Sequence, residues 1–153
     1  MSDFPSTVEI HEEGPREGFQ IEPGPISTVD KVKLIDALSK TGLKHIQACS
    51  FVNPRLVPGW ADAEKVVESF DAHEDVEYTG LYFNGNGLDR ALAFKDKLTI
   101  SGSISLTASE GFTKKNLNRT HAENMAAMER HVMSHLELGI PVNRIGVMAA
   151  FGC

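Results

Sequence analysis

The segment best suited to chemistry is residues 9–20, which gathers several carboxylates around one arginine, Arg16. Carboxylate oxygens bind hard cations such as Mg²⁺, and a guanidinium group stabilises negative charge that develops on an oxygen atom. Gly14, Pro15 and Gly18 are expected to fix the backbone of a turn that follows a short strand. A solvated acidic loop would have the same composition, so the residues alone leave both interpretations open.

A regular alternation of strand-like and helix-like segments predicts how this turn is positioned. The predicted strands are residues 7–12, 43–50, 76–83, 98–106 and 142–149. The predicted helices are residues 28–38 after a cap at Ser27, residues 62–72, a short helix near residues 88–95, and a helix from a capping box at Thr120 to about residue 138. Gly42 and Gly139 are expected to end the first and last of these helices.

Strands and helices in this order suit either an open doubly wound sheet or the first half of a (βα)8 barrel, which typically needs about 250 residues. The half-barrel is favoured because the candidate functional residues follow the carboxyl ends of strands, and because the sequence stops directly after a strand. We therefore predict an α/β fold, the N-terminal half of a TIM barrel with about five parallel strands. Residues 1–153 are expected to form one partial domain whose C-terminal half is absent.

Composition excludes several classes of function. The net charge of -6 and the lack of a Lys/Arg stripe argue against nucleic-acid binding, and no apolar run is long enough for a membrane helix. The first six residues lack the features of a signal peptide, so we expect a cytoplasmic protein. Cys49 and Cys153 are then expected to be reduced thiols rather than a disulfide.

Several segments together resemble one known family. Residues 12–20 are similar to the signature loop of the 3-hydroxy-3-methylglutaryl-CoA lyases, which belong to the metal-dependent TIM-barrel lyases and synthases. The similarity continues through residues 33–38, 41–43, 50–55, 57–58, 108–116 and 151–153. Because members of the family are about twice this length, as a whole barrel should be, the resemblance concerns the N-terminal half only.

The resemblance implies an acyl-CoA carbon–carbon lyase that uses Mg²⁺ or Mn²⁺ to cleave a 3-hydroxyacyl-CoA into acetyl-CoA and a keto acid. By position, Arg16 would stabilise the enolate of acetyl-CoA. Glu17 stands where the family has an Asp metal ligand, and its carboxylate is still a hard donor. Glu12 matches an acid beside the site, and Gln20 matches a Gln of the same turn.

Gln47 stands where the family has a Glu. An amide cannot serve as a general base, although it can orient a hydroxyl group or a water. The resemblance further implies substrate contacts from four polar residues, Ser50, Asn53, Lys114 and Asn116. The family's His-x-His pair, Asn ligand and catalytic Cys lie in the half that is not present here, and Cys153 is given no catalytic role.

Two alternatives to the lyase remain. The chain could be a non-catalytic half-barrel, either a fragment or an assembly module, or it could belong to a Claisen-type synthase of the same superfamily. A half-barrel exposes sheet edges and apolar strand faces, so we expect a homo-oligomer, a dimer or higher. We also expect these residues alone to be inactive and the full-length protein to be the enzyme.

Three histidines complete the set of candidates. His131 and His135 have a spacing that can hold zinc, although packing on an amphipathic helix is the favoured interpretation. His11 adjoins the acidic turn, where it could serve the site or pack within the strand.

Overall fold

A computed structural model describes residues 4–152, and Cys153 lies outside that range. Within the described residues, five strands alternate with helices. The strands are β1 (His11–Glu12), β2 (His45–Ser50), β3 (Glu77–Leu81), β4 (Gly102–Thr107) and β5 (Val142–Met148). The α-helices are α1 (Gly14–Ile21), α2 (Thr28–Leu38), α3 (Ala63–Ser69), α4 (Gly85–Leu92), α5 (Glu110–Leu117) and α6 (His121–Glu137), and Pro58–Trp60 forms a short 3-10 helix.

The chain divides into two compact units, with the boundary between Thr99 and Ile100. In the first unit β2 lies between β1 and β3, and all three strands are parallel. In the second unit β4 pairs with β5, also in parallel. All strand pairs are thus parallel, as predicted, and helices connect consecutive strands.

The two faces of β2 differ in a way that matters for function. Ile46 and Ala48 are buried, whereas His45 and Gln47 are partly exposed. Because successive side chains of a strand point to opposite faces, the apolar pair lies on the core side, with α2 and α3 packed nearby. The polar pair lies on the face that remains open to solvent and ligands.

Local capping signals are confirmed. The Ser27 hydroxyl accepts a 3.1 Å hydrogen bond from the backbone N–H of Asp30 at the start of α2. Thr120 and Glu123 form the predicted reciprocal capping box of α6. Gly139 has a φ of 68° just after the last helix, a conformation that glycine adopts without steric cost.

The acidic turn is itself helical, which corrects the prediction of a plain turn. Residues 14–21 form α1, and Pro15 lies in its first turn, where its fixed φ suits a helix and its missing N–H costs nothing. α5 was also not predicted. Its start is marked by Ser109, whose hydroxyl accepts a 3.1 Å hydrogen bond from the N–H of Phe112.

The first strand is shorter than predicted, because β2 supplies partners only for His11 and Glu12. Val8 and Ile10, expected within that strand, are exposed. Gly42 does not directly end α2, which finishes at Leu38, but takes a φ of 90° in the turn that follows. The other boundaries differ from the prediction by a few residues, since local patterns do not contain the pairing partners that set element ends.

Apolar side chains remain exposed on β5, among them Ile145 at 69% and Val147 at 54%. Such exposure was expected for strand faces of a half-barrel. Across residues 4–152, every helix is too short or too polar to cross a lipid bilayer.

Candidate functional site

The guanidinium of Arg16 is the centre of the polar cluster that follows β1. Its Nε donates a 2.5 Å hydrogen bond to Oε1 of Gln47, and one Nη donates a 2.8 Å hydrogen bond to Oε2 of Glu13. The other Nη contacts Glu17. These charge-assisted hydrogen bonds hold the guanidinium in a defined position. The arginine side chain is 13% exposed, so a small part of it remains accessible to a ligand.

Gln47 reaches this cluster from the open face of β2, which explains why two residues 31 positions apart meet. Arg16 and Gln47, which were predicted separately as site residues, are in direct contact. A glutamine here accepts the hydrogen bond without adding a further negative charge next to Glu13 and Glu17. The cluster consequently has two carboxylates around one guanidinium.

The main chain of Arg16 is held in place by Trp60. The indole N–H of Trp60 donates a 2.9 Å hydrogen bond to the carbonyl of Arg16, and the tryptophan is fully buried. The ring of Phe19, on the same helix as Arg16, lies 6.0 Å from the Trp60 ring, centroid to centroid. Burial of the indole therefore anchors α1 to the segment after β2.

Trp60 is in turn supported by an ion pair between a buried lysine and a partly exposed aspartate. Lys31 is 2% exposed, and its Nζ donates 2.5 Å hydrogen bonds to the Gly59 carbonyl and to Oδ1 of Asp62. The same Nζ lies 4.9 Å from the centre of the Trp60 ring. Burial by itself raises the pKa of Asp62, but hydrogen bonds from Lys31 and Thr28 outweigh that effect and hold the pKa below its usual value.

Glu12, Glu17 and Gln20 all lie on or beside α1. Oε1 of Glu12 accepts a 2.5 Å hydrogen bond from the backbone N–H of Gly14, so this carboxylate caps the start of the helix. A Cβ at position 14 would lie 2.6 Å from the same oxygen, so a larger residue there would displace the Glu12 carboxylate. Glu17 and Gln20 are exposed, and their side chains are accessible to a ligand.

Ser50 and Asn53 lie where β2 ends. Ser50 is fully buried, and within the described residues its hydroxyl oxygen has no hydrogen-bond partner. Asn53 is exposed and uses Oδ1 to accept a 3.0 Å hydrogen bond from the N–H of Arg55. Arg90 anchors this loop through a 3.1 Å hydrogen bond to the Val52 carbonyl, and its hydrogen bond to Glu64 lowers the pKa of that carboxyl.

The other two predicted substrate contacts lie in the second unit. Lys114 and Asn116 are exposed on α5. The Asn116 amide donates a 3.1 Å hydrogen bond to the carbonyl of Phe112 within the same helix. A role for either residue in binding substrate stays a prediction.

The α6 histidines pack rather than offer an open metal site. His135 is 1% exposed, and its Nδ1 lies 2.7 Å from the carbonyl oxygen of His131. Burial, followed by the nearby His135, lowers the pKa of His131. Asn84, which follows β3, has a structural role: its Oδ1 caps α4 by accepting a 3.0 Å hydrogen bond from the N–H of Gly87.

The sequence did not predict the roles of four residues around Arg16. Glu13 contacts its guanidinium directly. The other three support it from the core: Lys31, Trp60 and Asp62. The supporting residues carry no local motif, because their role arises only when segments distant in the chain pack together. As a whole, the arrangement provides a preorganised cation next to accessible carboxylates. It is suited to stabilising an oxyanion beside a hard metal ion.

Comparisons with known proteins agree over nearly the whole chain, although no family model matches it. The mitochondrial hydroxymethylglutaryl-CoA lyase of Gallus gallus is 39% identical over 150 residues, which are 98% of this chain and 49% of that protein. The crystal structure of the Bacillus subtilis HMG-CoA lyase matches with a TM-score of 0.86 at 33% identity, covering 98% of this chain and 49% of the solved one.

A third relative was solved with ligands. The HMG-CoA lyase of Acinetobacter baumannii, in complex with coenzyme A and 3-methylmalate, matches with a TM-score of 0.81 at 31% identity and covers 100% of this chain and 48% of its own. The present chain therefore spans about half the length of the relatives it matches. Its five parallel strands and intervening helices match the N-terminal half of the lyase TIM barrel, and the chain belongs to the hydroxymethylglutaryl-CoA lyase family.

Proposed function

We propose that this chain carries the enolate-stabilising part of a carbon–carbon lyase that cleaves a 3-hydroxyacyl-CoA into acetyl-CoA and a keto acid. The observation that carries the proposal is the guanidinium of Arg16, held by Gln47 and Glu13 beside the end of the first strand. Since the chain spans about half of its relatives, the activity is assigned to the complete gene product. The acyl-CoA substrate class is supported by the relative that binds coenzyme A.

Cleavage removes the proton of the substrate hydroxyl and breaks the bond between its α and β carbons. The electron pair of that bond remains on the thioester as an enolate, which then takes up a proton to give acetyl-CoA. Arg16 stabilises the enolate oxygen, because a guanidinium offers more N–H donors than the three that Gln47, Glu13 and Glu17 occupy. No solvent reorganisation is needed at that point, since the arginine is already in place.

Gln47 and Glu12 have different roles in this scheme. Gln47 cannot accept a proton as a base, so it holds Arg16 and orients the substrate hydroxyl. Glu12 is the candidate acid–base group, because its carboxylate lies at the start of α1 and, among residues 4–152, accepts one backbone hydrogen bond, from Gly14. Gln20, Ser50, Asn53, Lys114 and Asn116 are proposed to contact the substrate.

A divalent cation, Mg²⁺ or Mn²⁺, fits the donor chemistry of this turn. Such sites combine one or two carboxylates with waters and substrate oxygens. Glu17 would hold the ion, because its carboxylate is a hard donor and its side chain is 51% exposed. When bound, the cation supplies a Lewis acid that polarises the oxygens of the substrate.

The test is release of acetyl-CoA by the complete gene product from 3-hydroxy-3-methylglutaryl-CoA and related 3-hydroxyacyl-CoAs, with Mg²⁺ or Mn²⁺ present. Arg16→Ala should lower kcat by about a hundredfold or more, as loss of an oxyanion donor does. Arg130→Ala, at an exposed position of α6, is the matched control and should retain full activity. Cleavage by the parent protein that is unaffected by Arg16→Ala would refute the assigned role.

A non-catalytic module that assembles with a second copy is the other candidate, favoured by the exposed apolar side chains of β5. It predicts a dimer or higher oligomer with no release of acetyl-CoA from any substrate. Analytical ultracentrifugation together with the same assay separates the two functions. Consumption of acetyl-CoA with a 2-oxo acid would instead indicate a Claisen-type synthase.

A further inference from the structure

Two histidines and two carboxylates meet at the amino-terminal ends of the three strands in the first unit. His11 is opposite His45 in the β1–β2 register, and His45 is opposite Glu77 in the β2–β3 register. Because side chains opposite one another in a sheet point to the same face, these three residues form a row across the sheet. Glu9 joins the row from the segment that precedes β1.

The imidazole rings of His11 and His45 are stacked, with centroids 4.2 Å apart and planes inclined by 17°. Nε2 of His11 lies 3.8 Å from Oε2 of Glu9, and Nε2 of His45 contacts Oε1 of the same carboxylate. One ligand atom from each of the three residues falls within 4.8 Å of the other two. Two ring nitrogens and one carboxylate thus lie close enough together for small side-chain rotations to bring them onto one ion.

The second nitrogen of His45 is engaged on the opposite side of its ring. Its Nδ1 lies 3.2 Å from Oε2 of Glu77. In metal centres a carboxylate behind a ligating histidine fixes the tautomer, so that the other nitrogen presents its lone pair to the ion. Glu77 stands in that supporting position, with Nε2 of His45 directed towards Glu9.

From this geometry we infer that Glu9, His11 and His45 form a binding site for a transition-metal dication of the zinc type, with Glu77 orienting His45. Zn²⁺ prefers imidazole nitrogen and carboxylate oxygen at about 2.0–2.2 Å, which places ligand atoms about 3.3 Å apart in a tetrahedron. Nε2 of His11 lies 3.8 Å from Oε2 of Glu9, and the three ligand atoms lie within 4.8 Å of one another. Rotation of the exposed Glu9 carboxylate can shorten these distances to the values that an ion requires. A water can supply the fourth ligand.

This site differs from the acidic turn in both place and chemistry. It lies two residues before Gln47 on β2, towards the amino-terminal end of the strand. Two imidazoles select zinc, nickel or copper, whereas the carboxylates around Arg16 suit Mg²⁺ or Mn²⁺. The inference therefore stands independently of the lyase activity. An ion here would join the segment before β1 to β2, stabilising a strand that has only two paired residues.

The experiment is an isothermal calorimetric titration, in which Zn²⁺ is added to the metal-free protein in the presence of excess Mg²⁺. One Zn²⁺ should bind per chain, and His11→Ala, His45→Ala and Glu9→Gln should each weaken binding by about tenfold or more. Glu77→Gln should weaken it less. His73→Ala is the matched control, because His73 is exposed and outside the cluster. Circular dichroism of each variant reports whether it is folded.

Co²⁺ provides a readout of the ligands themselves, since its visible absorption intensifies in a tetrahedral nitrogen and oxygen site. At the same Zn²⁺ concentration, the Tm of the parent protein should also rise more than that of the folded Glu9→Gln variant. Glu17→Gln should leave Zn²⁺ affinity unchanged, which separates this site from the proposed lyase site. Absence of Zn²⁺ binding, or equal affinity in the parent, His11→Ala and Glu9→Gln proteins, would overturn the inference.

Discussion

The indole N–H of Trp60 donates a hydrogen bond to the backbone carbonyl of Arg16, joining two residues that are 44 positions apart. Trp60 is fully buried and packs beneath Lys31, whose ammonium lies 4.9 Å from the centre of the indole ring. The position of the Arg16 main chain is therefore set by the core of the first unit. A rigid support of this kind is what a preorganised charge requires.

Replacing Trp60 with Phe should weaken the attachment of α1. The variant loses the hydrogen bond to the Arg16 carbonyl but keeps most of the buried ring, so we expect the free energy of unfolding to fall by about 1–2 kcal/mol. In the complete gene product the same change should lower kcat more than it changes KM. Urea unfolding and steady-state kinetics measure the two effects.

Tyr78→Phe is the matched control for the tryptophan variant. The Tyr78 hydroxyl donates a 2.7 Å hydrogen bond to Ser39 and accepts one of 3.2 Å from the N–H of His73. Loss of this hydroxyl group should lower the free energy of unfolding by a similar amount without changing kcat. Equal losses of kcat in the two variants would show that Trp60 acts through general stability and not through Arg16.

Gly59→Ala should destabilise the same region through steric conflict. A Cβ at position 59 would lie 2.8 Å from the carbonyl oxygen of Phe19, so α1 would have to move. We expect a loss of about 1–3 kcal/mol, typical of overpacking. At Gly24 a Cβ would meet nothing within 4 Å, and Gly24→Ala should therefore be close to neutral. Thermal unfolding of both variants tests this, and equal Tm values would contradict it.

Asp62→Asn should reveal a pH-dependent contribution to stability. The carboxyl pKa is lower in the folded than in the unfolded protein, because hydrogen bonds from Lys31 and Thr28 outweigh the effect of burial. The ion pair of Lys31 and Asp62 therefore stabilises the fold at pH values above 3.8, the ordinary pKa of the carboxyl group. This stabilisation is lost as the pH falls through the lower pKa that Asp62 has in the folded protein. At neutral pH the variant should lose about 1–2 kcal/mol, a modest amount because solvent screens the partly exposed carboxylate.

The pH series itself provides the check for Asp62. The difference in the free energy of unfolding between the parent and Asp62→Asn should be constant near neutral pH and shrink in acid. Asp89→Asn is the control, because Asp89 is exposed on α4, and the change should alter stability by less than about 0.5 kcal/mol. A difference that grows in acid would contradict the assigned direction of the pKa shift.

Cys49 should be unreactive in the folded protein. Burial, reinforced by the charge of Glu64, raises the pKa of its thiol far above the usual value, and the thiolate is the reactive form. Iodoacetamide should therefore label Cys49 much more slowly in native protein than in denaturing urea, as measured on the isolated peptide by mass spectrometry. Similar rates in the two conditions would mean that the thiol is accessible.

Much of the fold could be predicted because its signals are local. The caps at Ser27 and Thr120 and the turn at Gly139 depend on neighbouring residues, and the structure confirms all three. Parallel pairing could also be predicted, because the alternation of strands and helices is visible in local sequence patterns. The start of the first strand could not be predicted, because it depends on where β2 begins.

By itself, the sequence determined the family, the order of the five strands and the charged residues around Arg16, since each depends on contiguous residues. Only the tertiary structure decided that Gln47 and Trp60 contact Arg16 and that His11, His45 and Glu77 form one row. The physical reason is that these contacts join segments tens of residues apart. These contacts form only when the strands pair and the core packs, and no local sequence pattern specifies them.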